Sequence, residues 1–392
     1  MLNTSFSPWP SFSEEEADRV RDVILSNKVN YWTGQECRSF EQEFAAWVEV
    51  KHAVAVANGT VALDLAFKAL DIGPGDEVIV TSRTFLASVS SIVNCGAVPV
   101  FADVNRDSQN IDVETISSVL SARTRAIVCV HLAGWPCDMD PIMDLAEQFN
   151  LKVIEDCAQA HGARYKGRPV GSIGQIGAWS FCQDKIMTTA GEGGMVTTND
   201  QGLWSRMWSY KDHGKSWEAV YERAHEPGFR WLHESFGTNW RMLEVQGAIG
   251  RIQLQRMSSW HAARVSNAEQ IWDCARQLPG LRVPSVPELV VHAAYKCYVF
   301  IEPSQLGEGW TRDRVISEVV AEGVPCYSGS CSEVYLEKAF DGTGWQPCER
   351  LPVAKELGET SLMFLVHPTL SNEEIMKTCE ALEKVMRLAA KR

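Results

Sequence analysis

The sequence lacks the features that would place it in several large protein classes. Its twelve cysteines include no Cys-x-x-Cys pair, so the usual spacing of a structural zinc site is missing. No apolar run reaches the roughly 18 residues of a membrane-spanning helix, so no membrane partner is expected. Positive charge is scarce. Lys and Arg number 37 against 50 Asp and Glu, a net charge of -13. With no basic stripe to offset it, nonspecific nucleic-acid binding is not expected. Met1–Pro10 has neither a basic nor an apolar stretch, so no signal peptide is expected. Thiols lie scattered in apolar and helical contexts, as at Cys95, Cys129, Cys157 and Cys274, which fits a reducing cytoplasm. Repeats, low-complexity segments and long linkers are absent as well.

What is present is the composition of a globular enzyme: 45% hydrophobic and 22% charged over 392 residues. That length suits one large α/β domain with a smaller appendage. Residues 13–26 read as a helix, with Ser13 as N-cap and Glu14, Glu15 and Glu16 at the positive end of its dipole. Residues 38–49 place Phe40, Phe44 and Trp47 on one helical face. Short apolar strands then alternate with helices: 52–57, 77–80, 98–101, 126–130, 152–155, 177–181 and 194–198. This alternation predicts right-handed crossovers and a mainly parallel sheet with helices on both faces. A helix over 243–257 carries Val245, Ala248, Ile249 and Ile252 on one side. Beyond it the pattern changes to a smaller α+β unit. The expected division is therefore 1–257 and 258–392.

The densest chemistry surrounds Lys185. It lies in Trp179-Ser180-Phe181-Cys182-Gln183-Asp184-Lys185, followed by Gly191-Glu192-Gly193-Gly194. Upstream, the strand Val153-Ile154-Glu155 delivers Asp156, with Gln159 and His161 after it. A strand ending in Asp, a strand leading to Lys, and a Gly-rich turn suit pyridoxal-phosphate chemistry. The Lys forms a Schiff base and the Asp keeps the pyridine nitrogen protonated. Asn58-Gly59-Thr60 sits between a strand and a helix start, where backbone N–H groups suit a phosphate. Phe85, just past a strand, suits stacking on a ring. All of these fall near strand carboxyl ends, where ligands bind in such sheets.

Each piece also has an ordinary reading. Most lysines are solvated, a Gly-Thr turn caps helices, Asp156 suits a cap, and Phe85 suits a core. Gln159 and His161 suit a helix surface, and Ser180 suits a strand end. Arg241 is placed to pair with Glu244, and Asn239 with Arg241 also suits anion binding. Lys211, His213, Lys215 and Arg230 fit a pyrophosphate and ordinary surface charge equally well.

Taken together, the motifs resemble the DegT/DnrJ/EryC1/StrS group of sugar aminotransferases over nearly the whole length. The resemblance runs through Gly34-Gln35, Ala57-Asn58-Gly59-Thr60-Val61-Ala62-Leu63, Gly73-Pro74-Gly75-Asp76-Glu77-Val78 and Thr84-Phe85. It continues through Glu155-Asp156-Cys157-Ala158-Gln159-Ala160-His161-Gly162, Lys185, Asn239-Trp240-Arg241-Met242 and Leu365 to Pro368. Ala190 stands where many members carry Gly. The resemblance implies a fold-type I pyridoxal-phosphate transferase with a mainly parallel seven-stranded sheet and a smaller C-terminal α+β domain. It implies that Lys185 forms the Schiff base and shuttles a proton, and that Asp156 pairs with the pyridine nitrogen. Gly59, Thr60 and Ser180 would hold the phosphate, together with Asn239 from a neighbouring subunit. Phe85 would stack on the ring, with Gln159 near its hydroxyl edge. A homodimer with shared active sites follows. His161, His213, Arg241 and Tyr327 are the expected substrate contacts; no metal is expected.

The implied reaction is ping-pong transfer of an amino group, from L-glutamate, to a keto or aldehyde sugar for lipopolysaccharide, O-antigen or other surface glycans. The expected acceptor is a nucleotide-linked keto-deoxysugar. One alternative is an oxidised free sugar acid such as 8-oxo-3,8-dideoxy-octulosonate; another is a non-catalytic regulatory protein of the same fold. An amino-acid or cysteine-sulfur enzyme is disfavoured, because the C-terminal sequence reveals no arginine placed for a substrate carboxylate.

Overall fold

The computed structural model describes residues 6–225, 227–228 and 230–391; part of the Met1–Pro10 stretch, residues 1–5, lies outside them. Helices α1 (Glu14–Leu25) and α2 (Glu36–Val48) open the chain. The alternating run follows: β1 (His52–Val56), α3 (Gly59–Ala69), β2 (Glu77–Thr81), α4 (Ala87–Asn94), β3 (Val98–Ala102), α5 (Val113–Ser117), β4 (Thr124–Val130), α6 (Met139–Phe149) and β5 (Lys152–Asp156). The short pair β6 (Arg164–Tyr165) and β7 (Arg168–Pro169) precedes β8 (Ile176–Ser180), β9 (Gly194–Thr198), α7 (Gln201–Tyr210) and α8 (Trp217–Tyr221).

These strands form a seven-stranded sheet of order β1-β9-β8-β5-β4-β2-β3. β9 runs antiparallel to both β1 and β8, and the other pairings are parallel. The parallel strands read as continuous apolar runs because helices cover both faces. On one face Val54, Val78, Val80 and Val128 pack against Leu63, Phe67 and Ile92 of α3 and α4. On the other, Phe40 and Phe44 of α2 meet Trp179 and Phe181. Since β1, β5 and β8 point the same way, the starts or ends that carry Gly59, Asp156 and Ser180 meet at one edge.

The helix expected over 243–257 is longer. α9 (Glu244–Arg276) runs for 33 residues straight through the expected division at 257/258. Its first half, with Met257, packs on α2 and the sheet, whereas Ala268, Ile271, Trp272 and Ala275 enter a second core. No loop marks the division, because one helix serves both cores. The remaining elements are β10 (Leu281–Arg282), β11 (Val290–Val291), β12 (Cys297–Ile301), α10 (Arg312–Ala321), β13 (Cys326–Tyr327), α11 (Pro352–Thr360), β14 (Ser361–Phe364) and α12 (Asn372–Ala389), of which β10, β12, α10, β13, β14 and α12 pack in the second core. Its sheet has the order β10-β12-β14-β13. β11 instead pairs with β6, tying this part back to the large one. Among the described residues no helix is long and apolar enough to cross a membrane.

Candidate active site

At the shared strand edge lies a cavity of about 1520 Å³. Gly59, Thr60, Phe85, Asp156, Gln159, Ser180, Lys185 and Tyr327 all line it.

Asn58 caps α3, its Oδ1 accepting the Val61 N–H at 3.0 Å. Gly59 and Thr60 occupy the first turn, so their N–H groups have no intrahelical acceptor and suit an anion. A side chain at Gly59 has no room: a Cβ there would lie 2.5 Å from Cβ and 2.9 Å from Oγ of Ser180. The close approach of this turn to the β8 end makes a narrow polar cradle.

Asp156 is 6% exposed at the end of β5. Its Oδ2 accepts the Ser88 hydroxyl at 2.7 Å and its Oδ1 the Ala158 N–H at 3.1 Å. Both bonds fix the orientation of the carboxyl group at the cavity wall. Gln159 accepts the Ala133 N–H at 2.8 Å through Oε1, which leaves its amide NH2 for the cavity. Phe85 is 71% exposed, an unusual state for a Phe and one that offers an open ring face.

Lys185 follows the β8 end on a tight turn, its N–H donating to the Cys182 carbonyl at 3.1 Å. Its ammonium stands 5.3 Å from the Tyr295 ring centroid. Its carbonyl accepts the Trp9 indole N–H at 2.8 Å, so an N-terminal strap (Phe6, Ser7, Pro8, Trp9) also borders the cavity. Thr369 fixes that strap through a 2.8 Å bond to the Pro8 carbonyl. Beside Lys185, burial works against the Asp184 carboxylate. The Lys185 charge and the Tyr295 hydroxyl outweigh it and hold the group below its ordinary value. In the turn beyond, Ala190 takes a φ of 65°, the left-handed region that glycine enters without penalty. A phosphate cradle, a hydrogen-bonded carboxylate, an open aromatic face and an amine on one cavity fit the donor set of pyridoxal phosphate.

Four expected site residues lie elsewhere. His161 is fully buried between Trp179 and Phe181, at ring distances of 5.1 and 5.6 Å, and lies outside the cavity wall. Burial first, then the Lys185 and Arg264 charges, push its imidazole down to about 3, so it is neutral. The turn after Asp156 carries its ring back into the core instead of toward ligand. His213 is exposed at a φ of 60° beyond α7, also outside the cavity wall. Arg241 pairs with Asp212 at 2.7 Å, not with Glu244. Glu244 instead accepts the Glu36 N–H at 2.6 Å. Asn239 is exposed and lies outside its own chain's cavity wall. Lys211 and Lys215 are not surface charges: both are buried, Lys211 with Glu41 and Lys215 with Asp212. The one candidate metal group among the described residues is His131, Glu155 and Cys157. There, Glu155 already accepts from Gly171, Ile173 and Gly174 N–H groups and contacts His131 at 3.0 Å, which explains its burial without an ion.

The sequence reading missed Ser88, Trp9, Arg264, Tyr295 and Lys296, all on the cavity wall. One signal was available for Arg264. The seven-residue spacing Met257, Arg264, Ile271 puts it on the buried stripe of α9. Ser88 and Trp9 carry no such pattern.

The model of the DegT/DnrJ/EryC1/StrS aminotransferase family matches residues 10–383. The chain is 34% identical to a GDP-perosamine synthase of Escherichia coli O157:H7, covering 96% of each chain. It is 36% identical to the GDP-perosamine synthase of Caulobacter vibrioides, over 93% of this chain and 95% of that one. Among solved structures, an aminotransferase from Psychrobacter cryohalolentis superposes with a TM-score of 0.96 at 64% identity, covering 97% of this chain and 99% of that one. S. venezuelae DesV, solved with a ketimine intermediate, superposes with a TM-score of 0.85 at 33% identity, over 95% and 94%. The fold is therefore that of fold-type I pyridoxal-phosphate aminotransferases.

Proposed function

This chain belongs to the DegT/DnrJ/EryC1/StrS aminotransferase family, and we propose that it transfers an amino group from L-glutamate to a nucleotide-linked keto-deoxysugar for a surface glycan. The observation that carries this reading is the convergence of Lys185, Asp156 and the Gly59–Thr60–Ser180 edge on one cavity. Relatives named GDP-perosamine synthase and dTDP-3-amino-3,6-dideoxy-alpha-D-galactopyranose transaminase support the sugar class. Twelve unpaired thiols fit the cytoplasm, where nucleotide sugars are made.

Pyridoxal phosphate, when bound, supplies an electron sink for the pair released when the substrate Cα–H bond breaks. The rest falls to the protein. The Gly59 and Thr60 N–H groups and the Ser180 hydroxyl would hold the phosphate. Asp156, oriented by Ser88 and Ala158, would hold the proton on the pyridine nitrogen. Phe85 would cover one face of the bound ring, and the Gln159 amide would meet its hydroxyl. Lys185 Nζ would hold and move the proton that leaves the donor α-carbon, and would deliver it on the sugar half of the reaction. Trp9 and its strap limit water at the Lys185 side. In this reading Asn239 serves the site of a second subunit. Its exposure, on a stretch with Trp231 89% and Phe236 100% exposed, suits a homodimer interface.

An acidic sugar such as 8-oxo-3,8-dideoxy-octulosonate is the second reading, favoured by one feature: a buried Arg264 without a carboxylate partner. The test is the visible spectrum of the purified protein before and after L-glutamate, followed by each acceptor class. Collapse of the cofactor band with glutamate, and its return with a nucleotide-linked keto-sugar, is the expected result. A band indifferent to every amino acid tried would refute the reading.

A further inference from the structure

Arg264 is 1% exposed in the cavity wall, yet it faces no carboxylate. Its Nη1 makes a long 3.4 Å bond to the Tyr295 carbonyl. Its Nε and Nη2 are buried with no hydrogen-bond partner. Those two nitrogens form the side of the guanidinium that grips two oxygens at once. The Trp9 ring lies 4.9 Å from the guanidinium carbon and shields it from water. Leaving charged donors idle in a buried place is costly, so the arrangement is unfinished without an anion.

Lys296, at the entry to β12, lines the same cavity. Its ammonium lies 4.8 Å from the Tyr295 ring centroid, the ring that also meets Lys185. Among the described residues neither Arg264 nor Lys296 has an ion-pair partner. Burial pushes Arg264 down to about 9, and burial, offset in part by the Asp184 carboxylate and reinforced by the Arg264 and Lys185 charges, pushes Lys296 down to about 8, so both remain mainly cationic at neutral pH. A phosphate already has its cradle at Gly59 and Ser180. A planar two-oxygen anion matches the idle edge of Arg264 better.

We propose that Arg264 and Lys296 form a carboxylate-binding subsite in the cavity, which takes the carboxylate of the amino donor or of an acidic sugar acceptor. It rests on the aminotransferase reading for what those ligands are. The subsite itself is a matter of binding, so its failure and that of the reaction can be told apart.

The test uses the pyridoxal-phosphate-loaded protein and two unreactive probes, glutarate and glucuronate, titrated calorimetrically against wild type, Arg264→Met and Lys296→Met. Removing two charge-assisted hydrogen bonds should weaken one probe by about 10- to 100-fold. Loss confined to glutarate assigns the subsite to the donor, and loss confined to glucuronate assigns it to an acidic sugar. In the donor case the KM for L-glutamate should rise by a similar factor, with kcat changed less than threefold or so. Lys296→Met keeps the test decisive if Arg264→Met folds poorly. Wild-type protein that binds neither probe, or variants that bind both as tightly as wild type, would overturn the subsite. A wild-type cofactor spectrum that ignores glutamate while the probes still bind would overturn only the reaction.

Discussion

The Ser88 hydroxyl donates a 2.7 Å hydrogen bond to Oδ2 of Asp156, across 68 residues of sequence. Thr84 Oγ1 stands 2.9 Å from Ser88 Oγ, so the hydroxyls form a relay that ends on the carboxylate. Ser88 sits in the first turn of α4, and Asp156 ends β5, two strands from β2. The relay fixes the orientation of Asp156. Ser88→Ala should therefore weaken cofactor affinity by about tenfold, the worth of one hydrogen bond to a charge. Asp156→Ala should weaken it more and nearly abolish turnover. Cofactor titration by absorbance checks both; equal affinities for Ser88→Ala and wild type would contradict the role given to the relay.

Lys185→Ala should lose covalent attachment of the cofactor, detected by mass spectrometry after borohydride reduction. Transamination should fall by roughly 10³-fold or more, as expected for loss of the group that moves the proton. The fold should persist, because Lys185 makes no side-chain hydrogen bond or ion pair among the described residues, only a ring contact with Tyr295 and longer-range effects on Asp184 and His161. Activity near wild type would refute the assignment.

Gly59→Ala would place a Cβ 2.5 Å from that of Ser180, on backbone and side chain with little freedom to move. The variant should lose about 1–3 kcal/mol of stability from overpacking. It should also bind inorganic phosphate and pyridoxal phosphate more weakly. Thermal melting and phosphate titration of the same sample separate the two effects.

His161 supplies a pH prediction. Its folded-state value is about 3 against an ordinary 6.5. The unfolded chain therefore takes up a proton that the folded chain refuses. Stability from this group is whole above about pH 6.5 and is lost as pH falls toward 3, at roughly 1.4 kcal/mol per pH unit. Phe fits between Trp179 and Phe181 without idle nitrogens. His161→Phe should therefore flatten the acid side of the stability curve while leaving KM and kcat within about twofold. Denaturant titrations at pH 7, 5.5 and 4.5 read this directly. An unchanged slope, or a large loss of activity, would return His161 to the site.

Asn239 and Lys185 test sharing between subunits. Lys185→Ala and Asn239→Ala proteins, each impaired alone, should regain activity when refolded together, because one site of each mixed dimer is intact. Random mixing predicts about a quarter of wild-type activity. Activity no higher than the sum of the separate variants would place each site within one chain.

By itself the sequence determined the alternating strands and helices, because parallel strands buried on both faces must be continuously apolar. It also determined Gly59, Asp156, Ser180 and Lys185 as candidates, because each stands at or near a strand end, where position along the chain is nearly position in space. The Ala190 departure was legible too, and the φ of 65° gives it a physical meaning. Membership of the aminotransferase family favours the catalytic reading over the non-catalytic alternative. Only the tertiary structure decided the rest. It turned His161 into the core although it lies five residues from Asp156, since a turn, unlike a strand, sets side-chain direction by local backbone rotation. It ran α9 unbroken through the expected division, because one long helix can bury different stretches in two cores. It brought Trp9, Ser88, Arg264 and Lys296 to the Lys185 cavity from distant parts of the chain. Apart from the helical spacing that buries Arg264 on α9, such contacts leave no periodic trace in sequence. They arise where packed elements close on one another, and there an arginine without a partner becomes visible.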